Sequence, residues 1–473
     1  MSNSARIGQI VESKRELLLS ISDQIWDFAE IKFEEYRSAD LLCGALEAEG
    51  FAVERNVDGM ETAFIGSFGT GNPVIAILAE YDALDGLSQM SGVTHLEPIV
   101  SGGVGHGCGH HLLGAGALAA AIALKQYYIE NHLAGTIRLY GCPGEEGGFS
   151  KTYLARDGYF QDVDCALTWH PAPGNLVVHG SSLANINAYY RFKGVSSHAA
   201  FTPELGRSAL DALELMNVGV NFLREHVPQD VRLHYAITNA GGRSPNVVQA
   251  ESEEYFCMRS SKSVQMHAIF ERVCDIAKGA ALMTGTSVEY EIDSAVSETI
   301  PNSTLSKLLY TNFEQLGMPV YDEADQKTAQ AFRAILPDAA KASVPSAFQD
   351  KPIFDVLMPF GEKEETQMGS TDVADVSWLV PTAQCWVTCA VNASPLHSWQ
   401  MVAQGKTSIA HKGMLHAAKV IACAAADIFH HPEIAEEAKQ ELRERLGKRS
   451  YVCPIPKDVT PSKTGRSRAG QSN

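Results

Sequence analysis

Apolar positions at the start of the chain recur at three- and four-residue steps: Ile7, Ile10 and Val11, then Leu17, Leu18, Leu19, Ile21, Ile25 and Trp26. That is the period of a helix with one buried face. A second helix is expected over 38–49, and the stretches 51–55, 62–68 and 74–79, separated by Gly and Asn, read as strands. The last of these, VIAILA, is apolar without a break, as befits a central strand covered on both faces. An Ala/Leu-rich helix is expected over 112–128, then strands over 136–140 and 166–169. Strands alternating with helices predict an α/β layer architecture.

The rhythm changes near residue 186. Ile186, Ala188, Tyr190 and Phe192 alternate as a half-buried strand, and a helix over 208–225 turns Leu210, Leu213, Met216 and Phe222 inward. Strands over 232–238 and 247–258, a helix over 264–282 and a strand over 287–292 complete a β-α-β-β-α-β order, the split βαβ pattern of a ferredoxin-like unit. From about 298 the chain returns to longer helices and apolar strands that complete the first sheet. The expected domains are therefore 1–185 with 298–473, and an inserted 186–297. The 460–473 tail, TPSKTGRSRAGQSN, is polar, basic and Gly/Ser-rich, and is expected to be mobile.

Composition narrows the partners. The 473 residues are 45% hydrophobic and 20% charged, enough for a large core and too many for one ordinary domain. With 38 Lys and Arg against 56 Asp and Glu, the formal charge of −18 repels a phosphate backbone or an anionic membrane, so neither nucleic acid nor membrane is expected as a partner. The first thirty residues carry a charge every few positions, and no uninterrupted apolar run approaches the roughly 18 residues of a membrane span. A soluble, cytoplasmic protein is expected. Its ten scattered cysteines read as reduced thiols.

The chemistry concentrates in three segments. His106-Gly107-Cys108-Gly109-His110-His111 opens the 112–128 helix, and thiolate and imidazole are both good ligands for borderline metals. Alternating glycines let the backbone curl so that neighbouring ligands converge. The 136–140 strand runs into Gly141-Cys142-Pro143-Gly144-Glu145-Glu146-Gly147-Gly148, and the 166–169 strand ends at His170-Pro171. Ligand sites of α/β sheets cluster at such carboxyl ends. Three successive segments thus bring Cys/His, Glu/Glu and His to one edge of one sheet.

With these segments LAEYDAL (78–84), GHGCGHHLLG (105–114), YGCPGEEGG (140–148), LTWHP (167–171), SPNVVQA (244–250), GSTDVADVSW (369–378), SPLHSWQ (394–400) and SIAHKGM (408–414), the chain resembles the dinuclear metallohydrolases that include aminoacylases, carboxypeptidase G2 and the auxin-conjugate amidohydrolases. The resemblance implies a zinc-peptidase-like catalytic domain, a mixed sheet flanked by helices, with an inserted α+β ferredoxin-like lid and dimerisation domain. It implies two divalent transition-metal ions per chain, Mn²⁺ or Zn²⁺, held by Cys108, His110, Glu146, His170 and His397, with Cys108 in the bridging position that aspartate fills in related peptidases. Glu145 is implied as the general base that takes a proton from the attacking water and hands it to the leaving amine. Asp82 matches an aspartate that orients a ligand.

Glu80 stands where related peptidases carry a metal-binding His or Asp, and His111 where the auxin-conjugate hydrolases carry Asp; neither is counted as a ligand. His106 reads as a loop residue beside the ligands. In the insert, Gly194-Val195-Ser196-Ser197-His198-Ala199-Ala200 resembles the family's lid motif. The resemblance implies that its histidine, here His198, hydrogen-bonds the scissile carbonyl in the active site of the neighbouring protomer. Asn246 and Arg259 match substrate-holding positions, and Gln249 replaces the usual Pro. Cys385 and Cys389 read as core, and His411 carries no chemistry derivable from the sequence.

The resulting expectation is hydrolysis of the amide of an N-acyl amino acid, favouring an aromatic-acyl glutamate of the p-aminobenzoyl-glutamate kind. Its rivals are an aminoacylase, auxin-conjugate hydrolase or dipeptidase with the same chemistry, and a non-catalytic binding component of a paralogous hydrolase. The expected assembly is a homodimer through the lid or a heterodimer with a paralogous A-type chain.

Overall fold

A computed structural model of the chain describes residues 3–361 and 363–462, so most of the tail expected to be mobile lies outside the described residues. The chain divides into two compact units. The larger comprises the chain up to Gly180, Ile300–Glu365 and Val376–Tyr451; the smaller comprises Ser181–Thr299, Thr366–Asp375 and the stretch from Val452.

The larger unit is built on a seven-stranded mixed sheet of β1 (Ala52–Arg55), β2 (Phe64–Thr70), β3 (Val74–Ala79), β4 (Gly135–Gly141), β5 (Cys165–Ala172), β6 (Leu176–Val177) and a late strand, Thr382–Thr388, in the order β1-β2-β4-β3-β5-late strand-β6. VIAILA is β3, fully buried and parallel to both neighbours, with Ile75 opposite Ile137 and Cys165. The late strand lies parallel to β5, Thr382 opposite Ala166, so the chain beyond 298 does complete the first sheet. Cys385 and Cys389 are buried in its core.

The N-terminal periodicity is divided between α1 (Asn3–Ser13) and α2 (Arg15–Phe28), and α3 (Tyr36–Ala48) precedes β1. Helix α4 (His110–Glu130) is apolar on nearly all sides, as a helix must be when protein surrounds it. By length and composition it would cross a bilayer, contrary to the expectation that no segment does, but 78% of its apolar window is buried in the core. Two glycines let it lie close on the sheet. A Cβ at Gly114 would stand 2.8 Å from the Glu80 carbonyl oxygen, and one at Gly116 would stand 2.6 Å from the Trp169 ring. This contact sets the first turn of α4 beside the end of β3.

The smaller unit has a four-stranded antiparallel sheet of β7 (Ala184–Lys193), β8 (Arg232–Asn239), β9 (Glu251–Ser260) and β10 (Ser287–Val296), ordered β10-β7-β9-β8. Helices α6 (Ala209–Leu223) and α7 (Ser263–Thr284) cover it; α5 (Ser150–Arg156) belongs to the larger unit. Three sequence expectations need correction here. The third strand starts at Glu251 rather than 247, because Val247 pairs with His198 and Val248 N–H donates to Ser197 O. The last strand continues past a bulge at 292–294 to Val296. Phe222 points outward, 67% exposed. The buried stripe of α6 is Leu213, Met216, Val220 and Leu223, while Leu215, Val218 and Phe222 form a second stripe at helical spacing that stays exposed.

Candidate metal centre

Four parallel strands deliver the ligand candidates from their carboxyl ends. β3 leads to Glu80 and Asp82, β4 to Glu145 and Glu146, β5 carries His170, and the strand Thr382–Thr388 leads to His397. Residues 105–109 bring Cys108 into the same place, and Gly109, at φ +81°, turns the chain into α4 so that His110 is its first residue. His397 itself adopts φ +54°, held by its N–H donating to Gly107 O at 2.9 Å.

The histidine tautomers are set by their outer hydrogen bonds. His110 donates from Nδ1 to Asp82 Oδ1 at 2.8 Å, and His170 donates from Nδ1 to Pro171 O at 2.7 Å. Both therefore present Nε2 to the centre. Asp82 also accepts from Glu146 N–H at 2.8 Å, so one buried carboxylate ties a ligand on α4 to a ligand after β4.

Three groups of donor atoms converge, each within 4.8 Å: Cys108, His110 and His170; Cys108, Glu146 and His397; and Glu80, His110 and Glu145. Cys108 is common to the first two. Two donors bound about 2.1 Å from one ion sit roughly 3.0–3.5 Å apart at tetrahedral or octahedral angles. Here Cys108 Sγ and His170 Nε2 are 3.3 Å apart, and Glu146 Oε1 and His397 Nε2 are 3.0 Å apart. Buried His110 Nε2 has no hydrogen-bond partner, as expected of an atom reserved for a cation. The thiol, imidazole and carboxylate set fits divalent metal ions.

Electrostatics agree. Without a metal, burial, and then the charge of a protonated His110, lowers the His170 pKa to about 4, so His170 is neutral at physiological pH. Burial and the neighbouring Glu146 charge push the Cys108 thiol up, a penalty that a bound cation reverses. Burial works against the Glu146 carboxylate, but the His397 hydrogen bond and the His110 charge outweigh it and lower its pKa.

His106 and His111 are turned away from these donors: their Nε2–H groups donate to Ile25 O and Gly405 O, each at 3.0 Å. His411 reaches Asp23 at 2.8 Å and so ties helix Ser408–His430 to α2. Two buried charges beside the centre escaped sequence reading. Lys151 Nζ lies 2.8 Å from Glu80 Oε1, both side chains almost fully buried, while Glu80 Oε2 is 3.4 Å from His110 Nε2. Glu35, also buried, accepts from Gly144 N–H at 2.7 Å, one residue before Glu145. Neither lies in a motif that pointed to it; each is one charged residue of a polar-looking stretch.

In the smaller unit, His198 and Asn246 are brought together: His198 pairs with Val247, and Ala199 N–H donates to Asn246 O at 3.0 Å. His198 Nδ1 accepts from Ala200 and Phe201 N–H, both at 3.1 Å, so its neutral ring carries the proton on exposed Nε2. Arg259 is not in that pair. It stands on β9 opposite Asn185 and Arg232, with Nη1 3.4 Å from Ser370 Oγ.

Residues 76–398 match the model of Peptidase family M20/M25/M40. The chain is 45% identical to the B component of the p-aminobenzoyl-glutamate hydrolase of Escherichia coli (strain K12), over 96% of this chain and 98% of that protein. It is 27% identical to an Xaa-Arg dipeptidase of Mus musculus, over 93% and 92% respectively. Among solved structures, a dinuclear metal binding peptidase from the M20 family of Bacillus subtilis has the same fold, with a TM-score of 0.57 at 18% identity over 89% of this chain and 99% of that one. The chain thus belongs to Peptidase family M20/M25/M40, and it is a metal-dependent hydrolase of linear amide bonds.

Proposed function

We propose that the protein hydrolyses the amide of an N-acyl amino acid, with an aromatic-acyl glutamate of the p-aminobenzoyl-glutamate type as its preferred substrate, using two transition-metal ions, Mn²⁺ or Zn²⁺. The observation that carries the dinuclear reading is the sharing of Cys108 by two ligand groups. The substrate reading rests on the near full-length likeness to the E. coli hydrolase component. Bound there, the ions would acidify the attacking water and polarise the scissile carbonyl.

This chain's own groups supply the rest. Cys108, His110, Glu146, His170 and His397 hold the ions, and Asp82 fixes His110 and Glu146 by accepting from both. Glu145 takes the proton from water and returns it to the leaving amine nitrogen. His198, protonated on Nε2, donates to the carbonyl oxygen as negative charge grows there. Asn246 and Arg259 hold the amino-acid end, the guanidinium fork suiting a carboxylate.

The smaller unit serves as lid and association domain, joined to a second copy or to a paralogous A-type chain. Support comes from its edge strand β8, whose Tyr235 and Ile237 are exposed, and from the outward stripe of Leu215, Val218 and Phe222. All ten cysteines are free, which favours the reducing cytoplasm. The test is hydrolysis by metal-loaded protein, with and without an A-type chain, of p-aminobenzoyl-glutamate, its α-amide, N-acetyl amino acids, indole-3-acetyl-aspartate and dipeptides. Preference for the first, with the α-amide a poor substrate, is expected. Equal rates on free acid and amide would refute the acyl-amino-acid assignment, and turnover of none would favour a binding role.

A further inference from the structure

Between α2 and α3 the chain makes a short excursion, with Ala29 at φ +44° and Phe33 at φ +60°, and it touches two site segments at once. On one side Ala83 N–H, next to Asp82, donates to Glu30 O at 2.8 Å, and Ile31 bridges to Ala83. On the other side lies the Gly144–Gly148 turn. Gly144 takes φ +63° with its Cα against the Phe33 ring, where an added Cβ would meet ring atoms at 3.2 Å; at Gly148 the distance would be 2.6 Å. Lys32 Nζ reaches Gly147 O at 3.4 Å.

Glu35 closes this clamp. It is fully buried, its Oε1 accepting from Gly144 N–H at 2.7 Å and its Oε2 bonded to Thr62 Oγ1 at 2.9 Å. Thr62 is itself fixed, since its carbonyl accepts from Tyr81 O–H at 2.6 Å. A carboxyl group locked from both ends thus anchors the backbone one residue before Glu145, on the side of the turn opposite the Glu146 N–H that donates to Asp82.

We propose that Glu35 is a positioning residue for the proton-transfer step: through Gly144 it fixes the turn that aims Glu145, without touching substrate or metal. This rests on the reading of Glu145 as general base. Burial, with the nearby Asp82 charge, raises the Glu35 pKa to about 8. A neutral carboxyl presents a carbonyl oxygen to accept and one O–H to donate, and a glutamine amide presents the same acceptor with an N–H in place of the O–H and one further N–H.

The experiment compares Glu35→Gln, Glu35→Met and Glu145→Gln for metal content, kcat and KM on p-aminobenzoyl-glutamate. Glu35→Gln is expected to stay within about threefold of the parent, since both hydrogen bonds are kept. Glu35→Met should lose on the order of 10²-fold in kcat, the cost of roughly 1 Å of misplacement, with metal content and KM unchanged. A simple folding defect would lower the active fraction and the metal content together. Full kcat in metal-loaded Glu35→Met, or equal losses in the Gln and Met variants, overturns the proposal. Should Glu35→Met not fold, Thr62→Val loosens the same anchor and should cost about twofold to tenfold in kcat; no change there overturns it equally. Activity retained by Glu145→Gln would instead refute the general-base reading beneath it.

Discussion

Lys151→Met gives the sharpest test of the buried electrostatics. The ammonium lies 2.8 Å from Glu80 Oε1, with side-chain exposures of 0% and 2%, so solvent screens neither group. At an effective dielectric of about 20, a pair at this distance attracts by about 6 kcal/mol. Much of that is offset by the cost of desolvating both ions, but removing Lys151 leaves the buried Glu80 charge with only His110, 3.4 Å away, to balance it, and costs up to about 3–5 kcal/mol. All five tryptophans, Trp26, Trp169, Trp378, Trp386 and Trp399, lie in the larger unit, so intrinsic fluorescence during urea unfolding reads that unit alone. In chelator, with no metal cation to stand in for the lost ammonium, Lys151→Met should lose up to about 3–5 kcal/mol. The double variant Glu80→Leu/Lys151→Met should recover most of it, because an apolar pair of similar volume replaces a buried ion pair at little cost. A loss under about 1 kcal/mol, or a double variant no better than the sum of the singles, refutes the account.

Other outcomes follow from the same geometry. Cys108→Ala should cost retention of both ions by plasma emission analysis, whereas His170→Ala and His397→Ala should each cost about one, since Cys108 stands in the donor group of His170 and in that of His397. Glu145→Gln should keep its metal and lose on the order of 10²–10⁴ in turnover, while Glu146→Gln should lose metal too. In metal-free protein, burial holds His106 neutral down to about pH 4 and His416 to about pH 3, while the unfolded chain protonates near 6.5. The unfolded state therefore binds more protons below pH 6.5, and stability falls as pH drops from 6.5 toward 4, by about 3 kcal/mol for His106 alone. His416→Leu should flatten that slope in urea titrations at pH 4.5, 5.5 and 7.

Much of the clustering was legible because each candidate ligand follows a feature that the sequence displays. Glu145 and Glu146 end a buried strand among glycines, His170 sits on the next strand, and Cys108 and His110 open an apolar helix. Lys151 and Glu35 were not legible. A charged residue in SKTYLAR or FEEY looks the same whether it faces water or a buried partner, and only packing decides. The Val247-Val248 pair misled for a related reason: β-branched residues announce an extended backbone without saying which segment it pairs with. Phe222 belongs to a second apolar stripe on α6, and periodicity alone does not say which of two stripes is buried.

The strand order also governs how the protein can be made. β5 needs the strand Thr382–Thr388 beside it, and β6 pairs with that same strand, so the β5 flank of the sheet stays open until Thr382 meets Ala166. At about 5–20 residues per second the ribosome takes on the order of 10–40 s to cover that interval. Meanwhile β7 to β10, consecutive in the chain, can pair among themselves. His397 emerges later still, so a nascent chain carries Cys108, His110, Glu146 and His170 before the last of the candidate ligands is made. The donor group that contains His397 is thereby completed only late in synthesis, and a chain stalled near residue 300 offers an incomplete candidate centre and unpaired strand edges, features that quality-control proteases and chaperones recognise.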